Sequence, residues 1–253
     1  MPTSLLKERQ LEEAVRRNQF LSALPAKDFS LLAPHLRTAH LECGLILHDA
    51  GDEIDNVYFP LSGVVSLVTV IQSGAIVEAA TVGRTGIVGA TAGLGSSRAF
   101  GRAVVQIAGD AARIARSQFH MAARESDAVR NLVVAHNDFV LSQIQQSVAC
   151  NALHFLEPRL CRWLLQIRDC IDSDAIPLTQ EFLAQMLGVR RTTLTVVARL
   201  LQSAGMISYR RGLIHVVNRV RLEENACECY GVIKQLTDAT FSKLPHSPGA
   251  SPV

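Results

Sequence analysis

The sequence predicts an α+β protein: a glycine-punctuated barrel or double-sheet roll, then a long helix, then a helix-turn-helix followed by a basic hairpin. Three observations carry this. Residues 37–114 alternate short β-prone segments with Gly44, Gly51, Gly63, Gly74, Gly83, Gly86 and Gly109. Residues 117–151 carry apolar positions at alternating steps of about four and three, the seam of a coiled coil. Residues 178–217, LTQEFLAQMLGVRRTTLTVVARLLQSAGMISYRRGLIHVV, read as a helix, a tight turn, a second helix and two short strands.

The chain of 253 residues is long enough for one large or two modest domains. With 48% hydrophobic and 19% charged residues it has an ordinary globular balance, and its net charge of only +2 excludes a polycationic nucleic-acid coat. No apolar run approaches the ~20 residues of a membrane span. The first twenty residues are amphipathic, carry both charge signs and lack the apolar centre of a signal peptide, so a cytoplasmic location with reduced thiols and no membrane partner is expected.

Taken in order, residues 4–20 read as a helix, with Leu5, Leu11 and Val15 among its apolar positions. Pro25 interrupts it, and a second short helix is expected around residues 28–36. Strands are expected at residues 45–47, 57–59, 64–71, 76–82 and 104–107. In the long helix, Val129, Val133, His136 and Val140 continue into Gln143 and Ser147, and Leu132, Phe139 and Ile144 widen the apolar side. Such a face predicts a dimer seam made by Val129, Leu132, Val133, His136, Phe139 and Val140, the alternative being a helix packed only within its own chain.

A hinge is placed at residues 151–154. Leu156, Leu160, Trp163, Leu164 and Ile167 form another amphipathic helix, with Pro158 tolerated in its first turn. Residues 169–177 read as a polar loop, and residues 222–236 as a final helix before a polar, Pro-rich tail expected to be mobile. The expected division is an N-terminal helix (1–20), an effector roll (21–116), a long dimerisation helix (117–151), a DNA-binding domain (152–222) and a C-terminal helix with its tail (223–253).

The helix-turn-helix carries the clearest chemistry. Thr179 suits the N-cap of the first helix and Glu181 its positive end. Gly188 breaks that helix, and Leu194, Val197, Ala198 and Leu201 give the second one a buried face. Arg190 and Arg191 sit where the helix dipole disfavours cations. They make poor helix design but good phosphate and guanine chemistry, because arginine can pair in bidentate fashion with guanine O6 and N7. Thr192, Thr193, Thr195, Val196 and Arg199 continue the outward side, Thr179 and Gln180 open the first helix, and Arg210 and Arg211 form a basic hairpin tip suited to the phosphate backbone. From residue 178 to residue 222 the cations are Arg190, Arg191, Arg199, Arg210, Arg211, Arg219 and Arg221, against Glu181 alone. Double-stranded DNA is the partner this footprint implies.

This stretch resembles the winged helix-turn-helix of the Crp/Fnr transcription regulators, and GDEIDNVYFPLSGVVSLVTV at residues 51–70 resembles the cyclic-nucleotide-binding-like β-roll of the same family. The resemblance spans roughly residues 21–222. It implies that residues 191–203 are the recognition helix, that Arg191 faces a guanine, that the long helix forms a parallel homodimer and that RNA polymerase is a partner. Many members place a glutamate where this chain has Thr192, and some an arginine where it has Val196, so the resemblance implies no particular operator.

Cyclic-nucleotide-binding members carry a carboxylate for the ribose and an Arg-Ser/Thr step for the phosphate. In GIVGATAGLGSSRAFGRAVV, residues 86–105, Gly89 is followed by Ala90, Arg98 by Ala99 and Arg102 by Ala103. Cyclic AMP is therefore not the expected ligand, although Gly89, Ser96, Ser97, Arg98 and Arg102 remain candidates for holding an anion. The six cysteines, Cys43, Cys150, Cys161, Cys170, Cys227 and Cys229, lack the tight N-terminal cluster of an iron–sulfur sensor. On one helix Cys227 and Cys229 would stand about 200° apart, too far to clamp one metal. No metal or other cofactor is assigned from the sequence, Cys227 is the foremost candidate for a redox thiol, and His136 reads as packing or a polar register element rather than a haem ligand. No paired-carboxylate motif, nucleophile elbow, phosphate loop or zinc spacing suggests an enzyme. The expectation is a sequence-specific DNA-binding transcription regulator answering an unidentified signal, with a ligand-binding or redox-sensing module lacking DNA function as the alternative.

Overall fold

The computed structural model describes residues 13–242. Most of the helix expected over residues 4–20, and the tail from residue 243, lie outside them. Inside them, buried Asn18 starts α1 (Gln19–Ala23) by accepting from the N–H groups of Phe20 and Leu21. Its amide donates to the carbonyls of Pro60 and Gly86 at 3.1 and 2.9 Å, so this buried polar side chain is satisfied on both ends and fastens the N-terminal segment to the roll. The second short helix appears as α2 (Ala26–Phe29) and a separate 3₁₀ turn (Ala33–His35).

Seven strands build the roll: β1 (Arg37–Leu41), β2 (Ile46–His48), β3 (Asn56–Pro60), β4 (Val64–Val70), β5 (Ile76–Val82), β6 (Arg102–Ile107) and β7 (Gly109–Ala115). They form two antiparallel sheets, ordered β1-β7-β3 and β2-β6-β4-β5. Leu41, Val65, Val82, Val88, Ala103, Val105 and Ala111 fill the inside. The tightest corner is where Gly63, at φ +70°, passes Gly109: a Cβ on Gly63 would meet the Ile107 carbonyl at 2.5 Å, and one on Gly109 the Ser62 carbonyl at 2.5 Å. Only glycine fits on either side of that crossing. β1 and β7 were not expected. β7 is rich in alanine instead of β-branched residues, and β1 exposes most of its length, so neither shows the alternation that marks a strand.

A 3₁₀ segment (Ala90–Leu94) leads across the roll, and two helices follow it, not one. α3 (Arg116–Glu125) ends at Ser126, whose extended backbone breaks the helix and whose hydroxyl caps α4 (Asp127–Leu153) by accepting from the Val129 N–H at 3.1 Å. Serine competes with the helix for its own backbone, which is why a break here escapes a search for apolar period. α4 has 27 residues, about 40 Å of helix.

The stripe expected to join two chains points inward. Val129, Leu132, Val133, His136 and Phe139 are buried in their own chain, and Val140 is half-buried at a pocket. The face of α4 left open to solvent instead shows Val134, Leu141 and Val148, exposed by 42%, 55% and 65%. They recur every seven residues, which aligns them along one side of the helix.

The C-terminal domain contains α5 (Leu156–Ile171), β8 (Ala175–Pro177), α6 (Gln180–Met186), α7 (Arg191–Ser203), β9 (Ile207–Arg210), β10 (Leu213–Val216), α8 (Arg219–Glu224) and α9 (Cys229–Ser242). The polar loop expected at residues 169–177 contains β8, which pairs with β10 in a three-stranded sheet ordered β8-β10-β9. Three residues ending in proline are too few to carry a period. The final helix expected at residues 222–236 is two helices, divided at residues 225–228 after Asn225 caps α8.

This domain sits against the roll. Val64, Val68, Val104 and Ile107 of the four-stranded sheet share a core with Leu160, Trp163, Leu164 and Ile167 of α5. At that junction the Trp163 indole N–H donates to Glu78 Oε1 at 2.9 Å, while the hydroxyls of Ser66 and Thr81 donate to the same carboxylate at 2.6 and 3.0 Å. Burial pushes the Glu78 carboxyl above its ordinary value, and the three donors oppose that push. Trp163→Phe keeps an aromatic ring in the core but removes one donor. It should cost about 1–3 kcal/mol of stability in urea unfolding, with full stability indicating that the bond holds nothing.

Candidate functional site

The helix-turn-helix is shaped by two matching stop signals. Thr179 Oγ1 accepts from the Phe182 N–H at 3.2 Å and caps α6. At the other end of α6, Gly188 takes φ +64°, the Val189 N–H reaches the Ala184 carbonyl and the Gly188 N–H reaches Gln185. This is a Schellman stop, which only a left-handed residue closes cheaply. α7 ends the same way: Gly205 lies at φ +71°, Met206 bonds back to Leu201 and Gly205 to Gln202. Both turns are set by glycine, and between them α7 is held on its buried side by Leu194, Ala198 and Leu201.

The other side of α7 is open. Arg190, Arg191, Thr192, Thr193, Val196 and Arg199 are all exposed, Arg190 being the N-cap residue and Arg191 opening the helix. Thr195 is half-buried, and its hydroxyl lies 2.9 Å from both Gln180 Oε1 and the Arg191 carbonyl. Thr195 and Gln180 thus tie α7 to α6. The Gln180 N–H in turn donates to the Tyr209 hydroxyl at 3.3 Å, joining α6 to the wing.

The wing turns through Arg211 and Gly212, at φ +49° and +79°, because Arg210 pairs with Leu213 across the hairpin. Two left-handed residues in a two-residue loop make a type I′ turn, whose twist suits a hairpin. Holding arginine there costs about 1–2 kcal/mol relative to glycine. It places one guanidinium at the tip and leaves Arg210 exposed in β9 beside it. Among the described residues, the arginine ion pairs of this domain join Arg168 to Asp169 and Asp174, and Arg219 to Asp169 and Glu223. Arg190, Arg191, Arg199, Arg210 and Arg211 are left free of carboxylates. A convex helix with unpaired cations and a flanking basic hairpin can enter a major groove and grip the phosphates alongside it.

The roll encloses a second feature, a pocket of about 280 Å³ between the four-stranded sheet, the 3₁₀ segment and α4. Its walls are mainly apolar, from Ile54, Leu67, Ile87, Val140 and Ile144, with His48, His136 and Asn137 as polar points. Of the residues expected to hold an effector, Gly89 lines it. The others do not. Arg102 is bound to Asp49 through two nitrogens at 3.2 and 2.5 Å, Arg98 donates to the Gly51 carbonyl at 3.2 Å, and Ser96 Oγ donates to the Arg98 carbonyl at 3.3 Å. Neither guanidinium lines the pocket: Arg102 is engaged by Asp49, and Arg98 is exposed with one bond to the Gly51 carbonyl. The pocket residues come from separate elements with no shared spacing, so no sequence motif announces them.

His136 stands at the pocket with its Nε2 accepting from the Ile87 N–H at 2.8 Å, and its Nδ1 is buried without a partner. Burial pushes its pKa down to about 4, so the ring is neutral. It packs edge-on against Phe20 with ring centres 5.2 Å apart.

The cysteines fall differently from the helical count. α9 begins at Cys229, so Cys227 lies in the preceding loop and the 200° separation does not apply. Cys150, His154, Cys227 and Cys229 bring their sulfurs and one ring nitrogen within 4.8 Å of one another. Cys150 and Cys227 Sγ are 3.6 Å apart, and Cys229 Sγ is 3.5 Å from His154 Nδ1. Cys161 and Cys170 stand elsewhere, with burial raising each thiol to about 12, and Cys43 is exposed.

Comparison with known proteins agrees with this geometry. Residues 158–225 match the Crp-like helix-turn-helix domain family. No curated protein matches the chain. Among solved structures, FixK2 from Bradyrhizobium japonicum is similar at a TM-score of 0.65 and 15% identity, over 76% of this chain and 98% of that one. TTHA1359, a Crp/Fnr transcriptional regulator of Thermus thermophilus, reaches 0.63 at 21% identity, over 75% and 98%. A protein of Eubacterium rectale assigned to the Crp/Fnr regulators reaches 0.62 at 20% identity, over 80% and 94%. At these identities the shared property is the fold. No helix among the described residues is long and apolar enough to cross a membrane.

Proposed function

Because this chain carries a Crp-like helix-turn-helix domain at residues 158–225 on the fold of the Crp/Fnr regulators, we infer that it is a transcription regulator that reads a palindromic DNA operator as a dimer. The observation that carries the reading is the exposed, carboxylate-free face of α7 beside a basic hairpin tip. Arg191 reads a guanine edge, Arg190 and Arg199 flank it, and Arg210 and Arg211 hold phosphate. Val196, exposed by 59%, suits a thymine methyl.

A dimer places two α7 helices about one helical turn of DNA apart, ~34 Å, which demands an inverted repeat. The open stripe of Val134, Leu141 and Val148 supports α4 as the pairing helix, with the seam rotated from the one the sequence period suggests. The signal enters at the apolar pocket under α4. A pocket that presents neither a carboxylate nor a free arginine suits a small, mainly apolar effector, not a cyclic nucleotide.

Selection of bound sequences from random DNA tests the reading and should return an imperfect palindrome. On that operator Arg191→Ala should weaken binding by about 1–3 kcal/mol and relax preference at one base pair per half-site. An equal loss on random duplex DNA would reassign Arg191 to phosphate, and no duplex binding by the wild-type chain would end the proposal.

A further inference from the structure

Three cysteines and a histidine from distant parts of the chain meet where the long helix ends. Cys150 lies in the last turn of α4 and His154 just past it, at the hinge into α5. Cys227 and Cys229 come from the loop and first residue of α9, more than seventy positions later. The three cysteines are buried, as a cluster of their own set apart from the large apolar cores.

The spacing is that of ligands around one small ion. Bonds of about 2.3 Å to sulfur and 2.0–2.1 Å to imidazole put neighbouring tetrahedral ligands roughly 3.4–3.8 Å apart. The measured 3.6 Å (Cys150 to Cys227) and 3.5 Å (Cys229 to His154) fall in that range. A polynuclear iron–sulfur cluster needs its ligands spread around several atoms, wider than the 4.8 Å that contains all four here.

The surroundings fit as well. His154 turns Nδ1 toward the sulfurs and holds Glu228 with Nε2 at 3.2 Å, the carboxylate–histidine arrangement that fixes a metal-binding ring. The Gln146 amide donates to Cys229 Sγ at 2.9 Å. Two buried arginines stand near. Arg159 donates to Asn151 and the Leu187 carbonyl, Arg162 donates to Gln166, and each keeps a buried Nε without a partner. Among the described residues Arg159 pairs with no carboxylate, whereas the charge of Arg162 is felt by the Glu78 carboxyl. A buried guanidinium needs negative charge close by, and three thiolates around a divalent ion leave one net negative charge.

We propose that Cys150, His154, Cys227 and Cys229 form a Cys₃His site for a thiophilic divalent metal of tetrahedral preference, zinc by its chemistry, which fastens α9 to the hinge between the long helix and the DNA-binding domain. The site does not depend on the DNA-reading proposal, and its test needs no DNA. As the metal binds, the thiols give up their protons to solvent and the sulfurs bind as thiolates.

The full-length chain, purified under reducing conditions, should carry about one zinc per chain by elemental analysis. Exchange with cobalt should give the thiolate charge-transfer band and the strong visible bands of a tetrahedral sulfur-rich site. Cys229→Ser should abolish both signals, and Cys43→Ser should change neither. Since Cys229→Ser could unfold α9, Glu228→Gln provides a milder variant. It leaves all four ligands and should weaken zinc about 10–100-fold in competition with a chelator, with the circular dichroism of the wild type. Three results would overturn the proposal: a folded wild-type chain that takes up neither zinc nor cobalt, metal retained in Cys229→Ser, or iron with sulfide in place of zinc. A Cys150–Cys227 disulfide in protein kept free of oxygen would do the same and would assign the cluster to redox chemistry.

Discussion

Leu141→Glu should turn a dimer into a monomer and cut operator affinity by about 10²–10⁴-fold, the gain that linking two binding modules provides. Leu141 sits at the middle of the open stripe on α4, 55% exposed between Val134 and Val148. In a parallel pair each such residue meets its own copy, so the variant sets two carboxylates against each other in an apolar seam. The fold of the single chain has no stake in Leu141, because the core contacts of α4 are made by Val129, Leu132, Val133 and Phe139. Sedimentation equilibrium should therefore show half the mass with unchanged circular dichroism. Wild-type mass for Leu141→Glu would move the interface off α4. Val133→Ala separates the two faces: it should lower stability and leave the mass alone.

Acid should destabilise the chain through His136. The folded pKa is about 4 against 6.5 for the free side chain, a difference worth about 3 kcal/mol. The unfolded chain takes up the proton first, so this contribution is complete above pH 6.5 and is lost as pH falls from 6.5 towards 4. The geometry gives the reason. Nε2 accepts the Ile87 N–H, and a proton there would break that bond and bury a charge. His48 lines the same pocket and is also shifted down, by burial first, so it adds to the slope in the same direction. Urea unfolding at several pH values between 7.5 and 5 should show the decline. His136→Leu should flatten it, at a cost of about 1–3 kcal/mol at neutral pH for the orphaned Ile87 N–H. A slope that is the same in both chains would remove His136 from the account.

The reading head was the most legible part of the sequence. Its boundaries depend on local signals, namely Thr179 as a cap and Gly188 and Gly205 as left-handed stops, and these stand in the sequence where they act. Its outward face was legible too, except for Thr195, whose hydroxyl is turned to Gln180 by the packing of α6 on α7. The strands of the roll were found where valine and isoleucine alternate and missed in β1 and β7, where alanine and polar residues hold positions that only the neighbouring strands define. The stripe of α4 expected as a seam is buried in its own chain for a related reason. A helix that is apolar on two sides has two candidate stripes, and its period does not say which one its own chain covers. The Cys₃His cluster was least visible of all. Its members are joined by the meeting of α4 with α9, and the spacing argument failed because the helix starts two residues later than continuity suggests.

α4 also carries a thermodynamic consequence. His136, Asn137, Val140 and Ile144 line the pocket, while Val134, Leu141 and Val148 make the outer stripe, so in the proposed dimer ligand and partner would share about four turns of one helix. Any effector that favours one setting of those turns changes the association constant of the two chains, and association changes the affinity for effector by the same factor. A tenfold effect in either direction corresponds to about 1.4 kcal/mol. The concentration of effector needed for half-saturation is then not a constant of the chain. It would move with how much of the protein the cell holds, and a regulator so built would measure its own abundance along with its signal.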